Sequence, residues 1–440
     1  MLLEFKATNF KSFRDEFKFS MIPTPKQKGL DYSIFNIKIA NKKYRCLCSA
    51  VIYGPNASGK TNVISAMDTF KSIVLRGNVR NDVDDVEPNA AAGMLELIPN
   101  NAIDIPTPIE FSIAFIESGL HIEYSFSVDL GGFLDVEFKR KILSESLKIN
   151  NNLIFLRSKD LDFYSLISIK DFYVNAFEQN IESAISLAKS NLHDDELFLM
   201  NGFKVMISSK LVSLIINWLE KKFMVVCRAN SVRLIRKFND PKKKSVYVEK
   251  TINEAAHYFG INSNALGYIF ENENDEAELY SLFNNNRSGR AIPAELFESY
   301  GTIRFINLFP LVINALLNGS TLVVDEFDAS IHPLALMNII NIFHNDDINK
   351  KHAQIIFNTH NPIFLNANLF RRDEIKFVER DDVTHFSILY SLSDFGTIGK
   401  SGVRKNEDYM KNYFVDRYGA IKDIDFTPIF ETALIIENEV

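Results

Sequence analysis

The chain has 440 residues, 46% of them hydrophobic, and its 56 acidic and 49 basic residues give a formal net charge of −7. This length allows two or three lobes with sizeable cores, which excludes an intrinsically disordered chain. A globally basic nucleic-acid coat is also excluded, so any contact with nucleic acid must come from a local patch. With 18 glycines, 13 prolines and no repeating period, low-complexity, collagen-like and solenoid architectures are excluded as well.

The cysteines and the apolar runs indicate in which cellular compartment the protein is expected. Cys46, Cys48 and Cys227 are too few for a disulfide framework or for a zinc site made of four thiolates. We interpret the first two as small buried residues of an apolar run. The start of the chain has charges inside the first six residues and no apolar core of signal-peptide length. The longest apolar run, Leu211–Leu219, is about half a membrane span. We therefore expect a cytoplasmic protein without a membrane segment.

The first 170 residues show mainly strand patterns. Apolar and polar residues alternate up to about residue 20, and the apolar run Cys46–Tyr53 leads directly into a glycine-rich loop and an amphipathic helix. Residues 75–106 are polar and rich in turn formers, which predicts a long loop. Between 108 and 168 the stretches IEFSIAF, HIEYSFSVDL and KILSESLKI predict further strands.

The middle of the chain, from 171 to about 270, changes to helical spacing. A helix is predicted near 205–225, and it carries the only tryptophan, Trp218. Residues 231–250 hold seven Lys or Arg residues, and residues 271–278 hold five acids. A solvated surface is the ordinary interpretation of such stretches, although the basic one could contact a phosphate backbone.

The last third restores an alternation of helices and strands that is typical of a parallel sheet. A helix over about 302–317 precedes the strand TLVVDE, and a helix over Pro333–His344 precedes the strand AQIIFNTH. The stretches EIKFVER and HFSILYSL then predict a hairpin. We therefore expect an α/β protein with an N-terminal lobe (1–170), a helical insertion (171–280) and a C-terminal lobe (281–440).

The strongest motif follows Tyr53 and fits G-x-x-x-x-G-K-[ST] at every fixed position. Small residues let consecutive backbone N–H groups surround a phosphate, and the following helix presents its positive end to the same anion. The lysine adds a cation at the outer phosphates, and the threonine hydroxyl can ligate Mg²⁺. The residues predicted to bind nucleotide here are Gly54, Pro55, Asn56, Ala57, Ser58, Gly59, Lys60, Thr61 and Asn62.

Two later strands end in polar residues that suit the same chemistry. The apolar strand that begins at Leu322 ends in Asp325 and Glu326, which places two carboxylates at the edge where phosphates bind. Asp325 would hold Mg²⁺ through water, and Glu326 would polarise the attacking water. His360 follows the next predicted strand and can reach the outer phosphate as a neutral donor. Taken alone, the two acids would be explained as a solvated strand end. His360 would be explained as a lone histidine without a functional role.

A fourth signal is the run Glu298–Thr302 before an apolar helix. Ser299 and Gly301 at a helix start can form a second anion site. Taken alone, this run is only a helix N-cap.

In this order the four motifs resemble the ABC-type P-loop ATPase heads shared by ABC, SMC and RecF-like proteins. Their fold is a mixed central sheet with an antiparallel β subdomain, and two heads sandwich two ATP molecules. The resemblance implies ATP and Mg²⁺ as cofactors. It implies these roles: Walker A lysine and hydroxyl for Lys60 and Thr61, Walker B pair for Asp325 and Glu326, switch histidine for His360, and signature serine and second glycine for Ser299 and Gly301.

Several stretches make the resemblance more specific, to one group of these ATPases: NFKSF, ESYGT, DEFDASIHP, NTHNPIF and FVER…YSLSDF…RYGAI. They are similar to the stand-alone ATPases of bacterial phage-defence systems of the RloA/AbiL type, which are related to OLD and PARIS ATPases. This implies a sensor or switch subunit that forms a head-to-head dimer or a higher oligomer. It also implies a separate effector such as a toprim-type nuclease, because the acids Glu379, Asp381 and Asp382 fall in a predicted hairpin turn rather than in a nuclease domain.

Two departures concern the signature run: Tyr300 replaces a small residue, and Thr302 stands where glutamine is common. None of the three glutamines, Gln27, Gln179 and Gln354, fits the lid loop that normally offers one to Mg²⁺.

The alternative function is a DNA-repair or chromosome-maintenance ATPase of the RecF/SMC kind that grips DNA through residues 231–250. A transporter subunit is disfavoured by the long separation between Thr61 and Ser299, and a ring-forming AAA+ motor by the switch histidine and the Ser-Gly run. Residues 171–290 hold no sustained heptads, so no long coiled coil is expected.

Overall fold

The computed structural model describes the chain apart from residues 26, 28, 40–41, 81–96, 101–106, 133–137, 228–244, 248–249, 262, 264, 270–277, 286–287, 398–401, 405–406, 423 and 432–440. Most of the predicted loop 75–106 and almost all of the charged stretches 231–250 and 271–278 lie outside the described residues.

The strands in chain order are β1 (Leu2–Thr8), β2 (Phe17–Ser20), β3 (Ile34–Ile39), β4 (Lys42–Leu47), β5 (Ser49–Tyr53), β6 (Ile109–Glu117), β7 (Leu120–Asp129), β8 (Lys141–Ile149), β9 (Asn152–Arg157), β10 (Leu161–Phe163), β11 (Phe223–Val226), β12 (Ser245–Tyr247), β13 (Ala265–Ile269), β14 (Glu278–Asn285), β15 (Ser288–Pro293), β16 (Thr321–Val324), β17 (Gln354–Asn358), β18 (Ile375–Arg380) and β19 (Ser387–Ser391).

The α-helices in chain order are α1 (Lys60–Arg76), α2 (Asn175–Gln179), α3 (Ile181–Ser190), α4 (Lys204–Met206), α5 (Ser209–Asn217), α6 (Lys250–Phe259), α7 (Ala294–Phe297), α8 (Tyr300–Asn318), α9 (Pro333–Phe343) and α10 (Tyr409–Phe414). Single π-helical turns cover Leu199–Phe203 and Trp218–Lys222.

Within the described residues the strands form two large sheets and two small ones. An antiparallel sheet has the order β10-β9-β8-β7-β6-β1-β2, and a central sheet has the order β11-β16-β17-β5-β18-β19. The central strands are parallel except β19, which pairs antiparallel with β18. A mixed central sheet beside an antiparallel sheet confirms the α/β fold class expected from the sequence.

The middle of the central sheet positions the site. Strands β5, β16 and β17 are buried along their whole length, as expected of parallel strands covered on both faces. They are neighbours in the order β16-β17-β5, so their carboxyl ends meet at one edge. The phosphate-loop motif, the two acids and the histidine each follow one of these ends.

The segment 171–280 is mixed rather than purely helical. It contains α2, α3 and α5, but β11 pairs in parallel with β16 and so belongs to the central sheet. The run Phe-Met-Val-Val is short and continuously apolar, and periodicity cannot distinguish such a run from the end of a helix. The chain therefore returns to the head before residue 280.

Trp218 connects this segment to both large sheets. Its ring stacks on Phe115 of β6 at 3.9 Å between centroids and on Phe223 of β11 at 5.1 Å. The side chain is 1% exposed, so Trp218 is buried between the two sheets. Cys46 and Cys48 are buried as well, and neither they nor Cys227 form a disulfide in the described part.

Helix α8 is the one described helix that is long and apolar enough to cross a membrane by length and composition, with a mean hydropathy of 1.4. A buried core helix meets the same criterion, and 44% of the window is buried.

Glu145 on β8 anchors the antiparallel sheet to the chain that follows it. Its carboxylate accepts hydrogen bonds from the Tyr124 hydroxyl (2.9 Å) and from the backbone N–H groups of Phe198 (2.7 Å) and Leu199 (2.8 Å). The Arg157 guanidinium lies 3.7 Å away. Burial raises the pKa of Glu145, while these donors and the cation oppose the rise.

Replacing Glu145 by leucine should lower the free energy of unfolding by about 3–5 kcal/mol, because three buried donors and one buried cation lose their acceptor. Chemical denaturation measures the change. Glu123→Leu, in the same sheet but partly exposed, is the matched control and should change stability much less. Equal effects of the two substitutions would contradict the anchoring role.

Candidate functional site

The loop between β5 and α1 is built for a phosphate. Gly59 has φ +110°, and a Cβ there would lie 2.7 Å from Ser12 Oγ and 2.8 Å from Ser387 Oγ. A Cβ on Gly54 would overlap the carbonyl oxygen of Val378. Only glycine fits at these two positions, and the backbone curves into a cradle of N–H groups at a helix start.

The contents of the cradle fit a triphosphate. The Ser58 hydroxyl is buried and has no hydrogen-bond partner in the described part. Lys60 Nζ donates to the carbonyls of Gly54 (2.8 Å) and Pro55 (2.9 Å) and lies 3.5 Å from His360 Nδ1. An available hydroxyl and a cation inside a glycine-rich loop are the groups that an outer phosphate requires.

The loop is held from outside by two segments that are distant in sequence. The Ser387 hydroxyl, at the start of β19, donates to the Ser58 carbonyl at 2.6 Å. The Asn62 side chain donates to Ser12 Oγ at 2.8 Å, and the Ser387 N–H donates to the Ser12 carbonyl at 2.8 Å. We did not predict these contacts, although Ser12 lies in the NFKSF stretch that carried the resemblance.

The threonine and the first acid lie together. Thr61 Oγ1 donates to Asp325 Oδ1 at 3.1 Å. A hydroxyl and a carboxylate offer the hard oxygen ligands that Mg²⁺ prefers, so these two residues fit that ion. Burial raises the pKa of Asp325, while the hydrogen bonds from Asn358 and Thr61 oppose the rise.

Asn358, the last residue of β17, holds both acids. Its side-chain amide donates to Asp325 Oδ1, and its carbonyl oxygen accepts the backbone N–H of Glu326. Glu326 has φ +51°, a left-handed conformation that costs a residue with a Cβ about 1–2 kcal/mol. Asn358 lies in the NTHNPIF stretch, but no role was predicted for it; its position at the end of the neighbouring strand was the available signal.

Buried charges set the protonation of the basic groups. Burial lowers the pKa of Lys60 to about 8, although Asp325 and Glu326 act in the opposite direction. Burial and the Lys60 cation lower the pKa of His360, so this imidazole is neutral near pH 7. A neutral imidazole retains one N–H donor, as expected from the sequence.

Asp328 supports the histidine loop. Its carboxylate accepts the hydroxyl of Thr359 at 2.5 Å, one residue before His360. Burial raises the pKa of Asp328, and this hydrogen bond opposes the rise. No role was predicted for Asp328 or Thr359, although both lie in stretches that carried the resemblance.

Ser299 and Gly301 lie apart from the loop of their own chain. Ser299 is exposed and caps α8 by accepting the Thr302 N–H at 3.1 Å. Gly301 is buried against the Ser330 carbonyl, where a Cβ would overlap the oxygen. Within the described residues no hydrogen bond joins either one to residues 54–61.

The other acids of the last hairpin each have local partners. Asp381 accepts the N–H groups of Val383 and Thr384, Asp382 pairs with Lys422, and Glu379 accepts the Tyr390 hydroxyl. Asp381 and Asp382 lie in the turn between β18 and β19, as predicted, whereas Glu379 lies within β18 itself, where it pairs with Ile388 of β19.

The buried glutamine has a structural role. Gln354 bonds to the backbone of Leu2 and Leu47 at the opposite edge of the central sheet. It therefore does not line the candidate site.

A second polar cluster joins Cys48, His344 and Glu374, whose ligand atoms lie within 4.8 Å of one another. Ser49 Oγ lies 2.8 Å from His344 Nε2 and donates to Glu374 Oε1 at 2.7 Å. Ser49 thus joins His344 and Glu374 in one hydrogen-bonded network.

Because the pKa of Lys60 is about 8, raising the pH from 7 to 9 should deprotonate it in the nucleotide-free protein. ATP affinity, measured by calorimetric titration, should fall by about tenfold at pH 9, where roughly one lysine in ten keeps its proton. Lys60→Arg should remove the pH dependence, whatever its absolute affinity. The control is Lys71→Arg, which changes a half-buried lysine of α1 that donates to the Phe223 carbonyl, and it should retain the pH dependence. A wild-type affinity that is constant over this range would contradict the role of Lys60.

Among solved structures, the chain is similar to the "SMC head domain from Thermotoga maritima", with 13% identity, a TM-score of 0.34, and 89% of this chain and 98% of that chain covered. It is also similar to the "SmcHead bound to the C-winged helix domain of ScpA", with 12% identity, a TM-score of 0.38, and 89% and 97% covered. Identities and TM-scores this low support no conclusion about function. No curated protein sequence matches the chain.

Residues 49–366 match the family model described as "AAA domain, putative AbiEii toxin, Type IV TA system". The matched region is more than two thirds of the chain, and it includes the phosphate loop, the two acids and His360. The chain therefore belongs to this family of AAA domain ATPases.

Proposed function

We propose that the chain binds ATP with Mg²⁺ and hydrolyses it, and that the nucleotide state switches its assembly. The observation that carries this proposal is the meeting of three strand ends at one edge of the central sheet. Lys60 and Thr61 after β5, Asp325 and Glu326 after β16, and His360 after β17 together supply a cation, an oxygen ligand pair, a carboxylate and a neutral donor.

Each group would have a distinct part in an in-line attack of water on the outer phosphate. Lys60 balances the negative charge of the phosphates, and His360 donates a hydrogen bond to them. Glu326 accepts a hydrogen bond from the attacking water and orients it. Thr61 and Asp325 would hold Mg²⁺, which when bound neutralises charge on the phosphate oxygens.

The proposed assembly is a head-to-head dimer in which Ser299 and Gly301 of each copy contact the nucleotide held by the other. Two features support it: Ser299 is exposed at the start of α8, and Tyr300 beside it is 56% exposed. The positive end of a helix suits a phosphate that arrives from outside the chain.

We further propose that the switch belongs to an anti-phage defence system and controls a separate effector, such as a nuclease. The motif stretches described above support this role, and the family description names a toxin of a toxin–antitoxin system. Plating efficiency of phage on cells that carry the chain with and without its neighbouring gene tests it. Equal protection by the chain alone would contradict control of a separate effector.

The alternative, a RecF/SMC-like ATPase that grips DNA, rests on residues 231–250, nearly all of which lie outside the described part. DNA binding that falls steeply with salt and is lost on Lys→Glu changes at 242–244 would favour this alternative.

Glu326→Gln should lower kcat for ATP by about 10²–10⁴-fold and leave ATP binding intact, because the amide cannot accept and orient the water in the same way. Lys60→Ala should instead weaken ATP binding by about 10–100-fold, since a charge-assisted contact with phosphate is lost. Phosphate release and calorimetric titration measure the two effects. Glu110→Gln, an exposed change on β6, should alter neither; full turnover of Glu326→Gln would exclude the assignment.

Ser299→Arg should abolish ATP-dependent dimerisation, since a bulky cation would occupy the proposed contact with the partner's nucleotide. Mass photometry with and without ATP measures the dimer fraction. Ser190→Arg, at the exposed end of α3, is the control and should dimerise like the wild type. Unchanged dimerisation of the Ser299 variant would contradict the proposed assembly.

A further inference from the structure

A buried arginine connects helix α8 to the second acid of the site. Arg304 is 3% exposed, and its guanidinium donates to the backbone carbonyl of Glu326. It lies on the same helix as Ser299, just over one turn further along. We propose that Arg304 is a positioning residue that fixes the Glu326 backbone for water attack and links it to the start of α8. This inference rests on the proposed ATPase function.

The Glu326 backbone is held on both sides. Asn358 of β17 accepts its N–H, and Arg304 of α8 donates to its carbonyl. The residue is in the left-handed conformation, which a side chain with a Cβ leaves when nothing holds it there. Backbone φ and ψ determine where the Cβ and the carboxylate point. Loss of the Arg304 contact should therefore displace the carboxylate from the attacking water.

Helix α8 and the loop after β16 pack closely at a second point. Gly301 lies against the Ser330 carbonyl so tightly that no Cβ fits between them. The positive charge of Arg304 also opposes the rise in the pKa of Asp328 that burial causes. The Asp328 side chain in turn accepts the hydroxyl of Thr359, the residue before His360. The first two turns of α8 thus touch this loop at separate places.

This packing provides a short physical route between two sites. Ser299 is exposed at the start of α8, whereas Arg304 reaches the chain's own catalytic acid from the buried side of the same helix. A contact made at Ser299 would shift the helix start, and the arginine would pass that shift to Glu326. Each copy would then hydrolyse its ATP efficiently only when its α8 is engaged by the other copy.

The test is a double-mutant cycle in the full chain with Arg304→Gln and Glu326→Gln, read out as kcat, KM for ATP and thermal midpoint. Arg304→Gln should lower kcat by about 10–100-fold with KM within about twofold, as expected for a displaced catalytic group. In the Glu326→Gln background it should have no further effect on kcat. Arg304→Lys, which keeps one donor, should restore part of the rate.

The matched control is Arg372→Gln, another buried arginine that donates to backbone carbonyls, those of Gly396 and Val403. The effect of Glu326→Gln on kcat should be the same in the Arg372→Gln protein as in the wild type. In hydrogen exchange, Arg304→Gln but not Arg372→Gln should lose protection in residues 325–332, a readout that does not require turnover.

The outcomes separate the two proposals. Wild-type kcat in Arg304→Gln, while Glu326→Gln is inactive, would overturn the positioning role and leave the ATPase proposal standing. The positioning role would also be overturned if the effects of the two substitutions on kcat were additive while KM and the thermal midpoint changed as well. That result would indicate that Arg304 has only a structural role. A wild-type protein without turnover would contradict the ATPase function and this inference together.

Discussion

The interaction on which the site depends is the one that Asn358 makes with two consecutive acids. It is possible only because β16 and β17 are adjacent and parallel, so that the end of one strand reaches the residues that follow the other. The amide fixes the orientation of the Asp325 carboxylate and the backbone of Glu326 at once. Thr61, at the start of α1, then donates a hydrogen bond to Asp325. A shift of one strand against the other would remove Asn358 from both acids.

The rest of the fold keeps these strand ends in register. Trp218 stacks between the antiparallel sheet and β11, so the segment after residue 171 is packed into the head rather than attached to its surface. The hairpin β18–β19 and the NFKSF stretch hold the phosphate loop from outside through Ser387 and Ser12. Burial in this frame lowers the pKa values of Lys60 and His360, which leaves one group as a cation and the other as a neutral donor near pH 7.

The sequence predicted the parts of the site that depend on local patterns. The phosphate loop, the acidic strand end and the histidine each followed an apolar run, and the structure brings them together. The contacts made by Arg304 and Ser387 could not be predicted, because they depend on which strands and helices become neighbours, and no spacing in the sequence encodes that. β11 was missed for a related reason: four apolar residues show no period, and only pairing with β16 makes them a strand. Ser299 remains a prediction, since its proposed ligand belongs to another copy.

The most direct test of this account is a structure of the Glu326→Gln protein with ATP and Mg²⁺. The account predicts two copies with the outer phosphate against Lys60, the ion between Thr61 and Asp325, and Ser299 of the second copy at the same phosphate. A nucleotide bound elsewhere, or a single copy whose site is complete without a second chain, would contradict it.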